Sequence, residues 1–419
     1  MLRTYNFLYN FFAVPALNLL GLFCPKIAAG KKEKFGDYGF KFLNRTIWIH
    51  AVSVGEVMLA QTLINKMHFK NDIVLTTSTP QGQELAKNKL SDKCKVITYF
   101  PYDTKKAIDN AVKAINPEMV IMIETEIWPN FALRMKELAI PLFIVNGRIS
   151  ENTFKSYKKL SFFFREVLKN YSAILTQTRE DAIRFVEIGA PENRVITSGN
   201  IKFDIEKPDD YTKYKYNLLF KTFGKKVIIF GSTHGDENEP LIETYCALKE
   251  KNTDLKLIIA PRHLEKLPSI EKLLEAKGIT YGKRSAEASF DECDVILLDT
   301  TGELADAYSA CDICILGGSF DKTGGHNPLE ATIWGKPVIS GPNVKNFRHV
   351  YKSLCDLDCA YIVKDYNELK EKISEMLGDK NYIERMGANC LGALEKNSGA
   401  TEFTVDYLEK FSREQYENG

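Results

Sequence analysis

The sequence predicts an α/β protein built from two doubly wound domains that face a central cleft. Three observations carry that expectation. From Ile47 onward, apolar runs of strand length alternate with polar–apolar stretches of helical period. The alternation stops near Lys202–Lys213, where the chain turns polar, and then resumes. A chain of 419 residues is also too long for one ordinary core. Such alternation specifies a parallel sheet wrapped by helices, which binds ligands at the carboxyl ends of its strands.

At the start of the chain, Thr4 to Pro25 carries no charge and is rich in Phe and Leu. It is long enough to span a bilayer, but Asn6, Asn10, Asn18, Pro15 and its aromatics suit a helix lying in the interface equally well. Lys26, Lys31, Lys32 and Lys34 follow, a cluster that stays on the cytoplasmic side beside anionic lipid. The expectation is a monotopic anchor over residues 1–30. Strand-like runs then fall at 47–52, 73–77, 96–100, 119–123, 142–145 and 173–176, giving a first domain over 31–205. Further runs at 227–230, 255–260, 295–298, 313–316 and 338–340 give a second domain over 206–395. The amphipathic tail, 396–419, is expected to return to the first domain as a helix. Phe154–Arg165 mixes aromatics with cations, which fits either a lipid-facing surface or an ordinary helix with snorkelling lysines.

Composition narrows the function. With 44% hydrophobic and 26% charged residues and a net charge of +1, the chain is globular and lacks the basic excess of nucleic-acid binders. Nine cysteines without a framework pattern read as reduced thiols. Cys311 and Cys314 form a CxxC inside an apolar run, with no second pair at zinc spacing. Six histidines include no HExxH, so no metal site is expected.

The most informative stretch is Gly317-Gly-Ser-Phe-Asp-Lys-Thr-Gly-Gly-His-Asn-Pro-Leu-Glu330, between a strand-like run and a helical start. Its four glycines let backbone N–H groups approach a ligand closely, with Gly318, Ser319, Gly325 and His326 as candidates for the cleft. A helix N-terminus after Pro328 would attract anions, and Asn327 and Glu330 would share one face of its first turn, in reach of ribose hydroxyls. Other strand ends converge on the same domain. These are Phe230-Gly-Ser232-Thr-His234, Ala260-Pro261-Arg262-His263 and Thr300-Thr301-Gly302-Glu303. Arg262 offers a fork that fits a phosphate or carboxylate.

In the first domain, His50-Ala-Val-Ser53-Val-Gly-Glu56 ends a strand and opens a helix. Ser53 and Glu56 have capping-box spacing, and a carboxylate at that strand end could equally take a proton from an acceptor hydroxyl. Ile123-Glu124-Thr-Glu126-Ile-Trp-Pro-Asn130 follows another strand; if extended geometry persists, one of the two carboxylates faces inward and one outward. Lys202, in Gly199-Asn-Ile-Lys-Phe-Asp204, could meet a phosphate or a sugar carboxylate, or remain a solvated surface charge.

Taken together, these segments resemble the 3-deoxy-D-manno-octulosonic acid (Kdo) transferases of lipopolysaccharide assembly. The resemblance rests on Ser53-Val-Gly-Glu, Leu75-Thr-Thr-Ser-Thr-Pro-Gln-Gly82, Phe100-Pro-Tyr-Asp103, Glu124-Thr-Glu-Ile-Trp-Pro-Asn, Asn146-Gly-Arg-Ile-Ser, Gly199-Asn-Ile-Lys-Phe-Asp, Gly231-Ser-Thr-His, Pro261-Arg-His, Thr301-Gly-Glu-Leu and Gly324-Gly-His-Asn-Pro-Leu-Glu, all in family order. Gly147, where the pattern often has alanine, and Gly235-Asp-Glu depart mildly from it. The resemblance implies a GT-B fold of two Rossmann-like domains and an inverting, metal-independent glycosyl transfer at the cytoplasmic face of the bacterial inner membrane. CMP-Kdo would be the donor and a lipid A precursor the acceptor. It further implies Glu56 as general base, Glu126 and Lys202 as transition-state stabilisers, and CMP contacts at Pro261, Arg262, Thr301, Gly302, Glu303, Asn327, Pro328, Leu329 and Glu330. A nucleotide-sugar epimerase and a non-catalytic membrane scaffold are the competing readings. The apolar N-terminus argues against the first and the intact strand-end motifs against the second.

Overall fold

The computed structural model describes residues 2–16, 28–206 and 208–417. It divides into two compact units, one of Met1–Asp204 with Asn397–Gly419 and one of Ile205–Lys396. In the first unit, β1 (Thr46–His50), β2 (Asp72–Thr77), β3 (Val96–Tyr99), β4 (Pro117–Ile123), β5 (Leu142–Gly147), β6 (Ala173–Thr176) and β7 (Val195–Thr197) form a sheet of order β3-β2-β1-β4-β5-β6-β7. Every paired neighbour is parallel. Side chains alternate across the sheet, so Ile47 and Ile49 of β1 join the core on one face while Trp48 joins the core on the other. Burial on both faces is why these strands read as unbroken apolar runs.

The second unit repeats the plan with β8 (Lys226–Thr233), β9 (Leu255–Pro261), β10 (Tyr281–Lys283), β11 (Val295–Leu297), β12 (Ile313–Leu316), β13 (Val338–Ser340) and β14 (Ala360–Ile362). Its parallel order is β10-β11-β9-β8-β12-β13-β14. Three strands have no counterpart in the apolar runs of the sequence: β7, β10 and β14. All three are edge strands of three residues with largely half-exposed side chains, so no continuous apolar run marks them.

Helices start where the sequence supplies caps. Thr79, Thr104 and Thr178 accept from Gly82, Ala107 and Asp181 N–H groups, and Pro80 and Pro129 open first turns where no N–H is needed. Gly82 is required by proximity, because a Cβ there would lie 3.2 Å from the Val52 carbonyl oxygen. The last helix, Ala400–Glu417, lies on the first unit: Ala400, Val405 and Leu408 are buried in its core, and Phe411 meets Phe143 edge-on at 5.0 Å. Asp204 fixes where this helix begins, accepting from Gly399 N at 2.6 Å and Thr401 N at 2.5 Å.

At the other terminus, the helix Leu2–Leu8 runs into a π-helical turn, Tyr9–Ala13. The Tyr5 hydroxyl donates to Asp103 at 2.8 Å, and Asp103 N donates to the Tyr9 hydroxyl at 3.3 Å. Asp103 is buried and also accepts from Asn130 N and Phe131 N at the start of the helix Pro129–Glu137. Burial pushes its carboxyl up to about 6. Opposite the tyrosines, Phe7, Phe11 and Phe12 are 54%, 67% and 62% exposed. Residues 17–27 of the apolar stretch, Lys26 included, lie outside the described residues. No described helix is long and apolar enough to cross a membrane.

Removing the Asp204 side chain leaves two backbone N–H groups at the start of this helix, those of Gly399 and Thr401, without their acceptor. Asp204→Ala should lower stability by about 1–2 kcal/mol, read as a lower denaturation midpoint, while Asp204→Asn should recover part of the loss.

Candidate active site

In the first unit the sheet order reverses between β1 and β4, and the chemistry-bearing side chains leave the carboxyl ends of these two strands. After β1 the chain turns into the helix Val54–Lys66, whose first turn carries Glu56. The Glu56 carboxylate accepts from Val52 N at 2.7 Å and from the Ser53 hydroxyl at 3.2 Å. Ser53 therefore does not act as a capping-box acceptor: it makes no side-chain cap and instead donates to the carboxylate. Glu56 is half-buried, and burial, with Glu124 and Glu126 close by, pushes its carboxyl up to about 8 despite the Val52 bond.

After β4 the expected strand alternation fails. Glu124 adopts φ +57°, which ends extended geometry there, and both Glu124 and Glu126 lie close enough to Glu56 to raise its carboxyl. Glu124 joins two cations, Lys202 at 3.3 Å and Arg148 at 3.2 Å. Lys202 comes from a 3-10 turn, Ile201–Phe203, whose first N–H donates to the Asn146 side chain at 3.0 Å. Glu126 is held by the Trp128 indole at 3.0 Å, and burial pushes its carboxyl up to about 7. The structure thus brings Glu56, Glu126 and Lys202 into one cluster, together with Glu124 and Arg148. No separate role for Glu124 can be read from its segment, and Arg148 is marked only by the Asn146-Gly-Arg segment after β5.

In the second unit the order reverses between β8 and β12. The glycine-rich loop follows β12, but its backbone is arranged differently from the open cradle the sequence suggests. The carboxylate of Glu237, only 1% exposed, accepts from Gly318 N at 2.7 Å, Ser319 N at 3.1 Å, Phe320 N at 2.9 Å and His234 N at 3.0 Å. Gly318 and Ser319 are thereby corrected from ligand donors to internal supports. Ser319 is fully buried, and its hydroxyl donates to Leu316 O and accepts from Gly341 N. The helix that follows, Leu329–Thr332, is a single turn, so the anion attraction expected of its N-terminus has little dipole behind it. Glu237 was missed because it lies on the helix after β8, far in sequence from the loop it holds.

The remaining residues divide by exposure. Arg262, Thr301 and Gly302 are exposed; Pro261, Pro328 and Leu329 are buried; Gly325, with φ +76°, is buried beside Val344. Ser232 is half-buried in a left-handed conformation, φ +54°, at the end of β8. Glu303 is internally committed, accepting from Arg284 at 3.0 Å and from the Tyr216 and Thr300 hydroxyls, which holds its carboxyl below the usual range. The Glu330 carboxyl is raised by burial and faces Asn327 at 3.5 Å. His326 stacks on His234, with Nε2 to Nε2 at 3.0 Å. Cys311 and Cys314 are buried free thiols 3.2 Å apart. Among the described residues no group of His, Cys, Asp and Glu has the geometry to hold a metal ion.

Two parallel α/β units of this kind have the architecture of the GT-B glycosyltransferases. A crystal structure of UDP-GlcNAc 2-epimerase from Neisseria meningitidis bound to UDP-GlcNAc shares the fold, with a TM-score of 0.55 at 16% identity over 87% of this chain and 100% of that one. The family model described as 3-deoxy-D-manno-octulosonic-acid transferase (kdotransferase) matches residues 29–205, and that of glycosyl transferases group 1 matches 237–390. The 3-deoxy-D-manno-octulosonic acid transferase of Haemophilus influenzae is 31% identical over 404 residues, 94% of this chain and 94% of that protein. A bifunctional glycosyltransferase/methyltransferase of Fusobacterium nucleatum is 35% identical over 350 residues; the match covers 82% of this chain but only 54% of that protein. The chain belongs to the 3-deoxy-D-manno-octulosonic acid transferase family.

Glu237→Ala would leave four backbone donors without their acceptor. It should destabilise the protein by about 3 kcal/mol or more, seen as an earlier chemical unfolding transition.

Proposed function

We propose that this protein is an inverting glycosyltransferase that moves Kdo from CMP-Kdo to a lipid A precursor, lipid IVA, without a metal ion. The observation that carries the reading is Glu56, a carboxylate at the end of β1 whose affinity for protons suits a general base and which stands beside the Glu124–Lys202 ion pair. Relatives named as Kdo transferases, about 30% identical over most of their length, support the sugar assignment.

In this mechanism Glu56 takes the proton of an acceptor sugar hydroxyl. The freed oxygen pair attacks the anomeric carbon of Kdo as the bond to the CMP phosphate breaks, and the electron pair of that bond leaves on CMP. Lys202 and Glu126 stabilise the charge that develops, Lys202 kept in place by Glu124. Pro261, Arg262, Thr301, Gly302, Glu303, Asn327, Pro328, Leu329 and Glu330 form the nucleotide site, with Ser232 and Gly325 at its rim. The single phosphate of CMP is balanced by Arg262 and by polar donors, so the chemistry needs no divalent ion. The committed Glu303 carboxylate contributes by holding its loop, and Thr301 and Gly302 face the ligand.

The acceptor is a lipid, and the N-terminal segment supplies a means of meeting it. Tyr5 and Tyr9 tie this segment to the buried Asp103, while Phe7, Phe11 and Phe12 point to solvent. The same unit exposes Leu160 and Phe162 near Lys155, Lys158 and Lys159. That combination fits a monotopic association with the cytoplasmic face of the inner membrane.

Glu56→Ala should abolish transfer and leave CMP binding intact; turnover near the wild-type rate would remove Glu56 from the base role. Because the base works ionised and its carboxyl titrates at about 8, kcat/KM should rise about tenfold per pH unit on the acid side and level off above pH 8. Replacing Phe7, Phe11 and Phe12 together with serine should shift the protein from sedimenting with anionic vesicles to the supernatant, with activity on a detergent-dispersed acceptor retained.

A further inference from the structure

The glycine-rich loop of the second unit already holds an anion of its own. With the Gly318, Ser319 and Phe320 N–H groups all bonded to Glu237, this part of the loop backbone is committed internally and does not open its donors to a ligand oxyanion. A donor that carries a phosphate and, as a sugar acid, a carboxylate then draws its positive partners from side chains.

Three histidines and an arginine gather at that place, from three strand ends. His234 follows β8, Arg262 and His263 follow β9, and His326 lies in the loop after β12. His234 and His326 stack with ring centroids 5.3 Å apart, and their Nε2 atoms are 3.0 Å apart, a distance that requires one proton between them. Behind the pair, the Asp321 carboxylate lies 3.8 Å from Nδ1 of His234. The ring of His263 meets His234 edge-on at 5.8 Å. Asp321 favours a proton on Nδ1 of His234, which leaves His234 Nε2 to accept from His326 Nε2. Nδ1 of His326 is then the one ring nitrogen of the pair without a partner among the described residues. The exposed Arg262 guanidinium likewise has no hydrogen-bond or ion-pair partner among them. Among the described residues, Arg262, His263, Asp321 and Glu237, which accepts from His234 N, are the charged or titratable groups beside this pair. An oxyanion beside His326 would let the pair carry one proton more, turning His326 Nδ1 into a charged donor.

We propose that His326, backed by His234 and Asp321 and flanked by Arg262, forms a subsite for an oxyanion of the donor. The inference rests on the reading of this unit as the donor-binding half. Its role is binding and selection of an acidic donor, through a relay in which Asp321 orients His234 and His234 orients His326. The oxyanion is either the nucleotide phosphate or the sugar carboxylate, and the two are separable by ligand.

The test compares wild type with His326→Gln and His234→Gln in two assays: CMP affinity by calorimetry, and KM for CMP-Kdo with a lipid acceptor in detergent. Loss of a charge-assisted hydrogen bond is expected to weaken binding on the order of tenfold or more, with kcat little changed. If both the CMP affinity and the KM for CMP-Kdo worsen, the phosphate occupies the subsite. If CMP affinity holds and only the KM for CMP-Kdo rises, the sugar carboxylate does. If neither moves by as much as threefold in variants that melt like wild type, the proposal is overturned. Should a variant fail to melt cooperatively, wild-type calorimetry in two buffers of different ionisation enthalpy decides instead: proton uptake on binding CMP or CMP-Kdo near pH 7 supports the subsite, and its absence with both ligands overturns it. A wild-type protein that binds CMP with proton uptake yet transfers no Kdo would fault the functional reading alone.

Discussion

A parallel sheet whose strand order reverses leaves a gap at the reversal, because the connections from the two central strands depart to opposite faces. That constraint operates twice in this chain, between β1 and β4 and between β8 and β12. In the first unit it brings together Glu56 and the Glu124–Glu126 segment, which are far apart in sequence. In the second it brings His234 to His326. Neither cluster is local in sequence, and neither would form if the central strands were not buried on both faces. The apolar cores are therefore what determines the position of the polar groups.

Burying three carboxylates beside one another, at the ends of β1 and β4, has an energetic direction. The Glu56 and Glu126 carboxyls titrate at about 8 and about 7, above the ordinary value of 4.5, so folding favours their protonated forms. Their contribution to stability is full below about pH 4.5 and is lost as pH rises through 7 and 8. The ionised form that can accept a proton is thus the one the fold tolerates least. Lys202 and Arg148 limit the tension by pairing with Glu124, leaving Glu56 and Glu126 as the two carboxylates not neutralised in that way. A site relieved of this tension would be more stable and a weaker base.

The central strands were legible because burial on both faces leaves an unbroken apolar run, as in Ile47–Ile49 and Ile313–Leu316. The edge strands β7, β10 and β14 were not, since a strand with one neighbour needs few apolar residues. Glu56, Glu126 and Lys202 could each be named from a short segment, and the structure gathers them. The segments could not reveal which carboxylate would pair with Lys202. That depended on the left-handed turn at Glu124, which a non-glycine residue rarely adopts and which no local pattern announces. The resemblance to Kdo transferases supplied roles that spacing alone left open between a cap and a base.

The glycine-rich loop shows why a motif and its mechanism must be read separately. Four glycines between a strand and a helix imply a backbone open to a ligand, and the sequence is equally consistent with a backbone folded around an internal group. Here Glu237 takes the latter course, from a helix more than eighty residues away along the chain by the separations of its bonds to Ser319 and Phe320. Its buried negative charge fixes the loop conformation and also makes the loop backbone unfavourable to a second anion. Recognition of an anionic ligand then passes to side chains that can carry positive charge. Arg262 offers a permanent one, and the imidazole pair offers one that the ligand itself must induce. The glycines permit a tight wrap around Glu237, and that wrap is what presents His326 and Asn327 at the loop's outer edge.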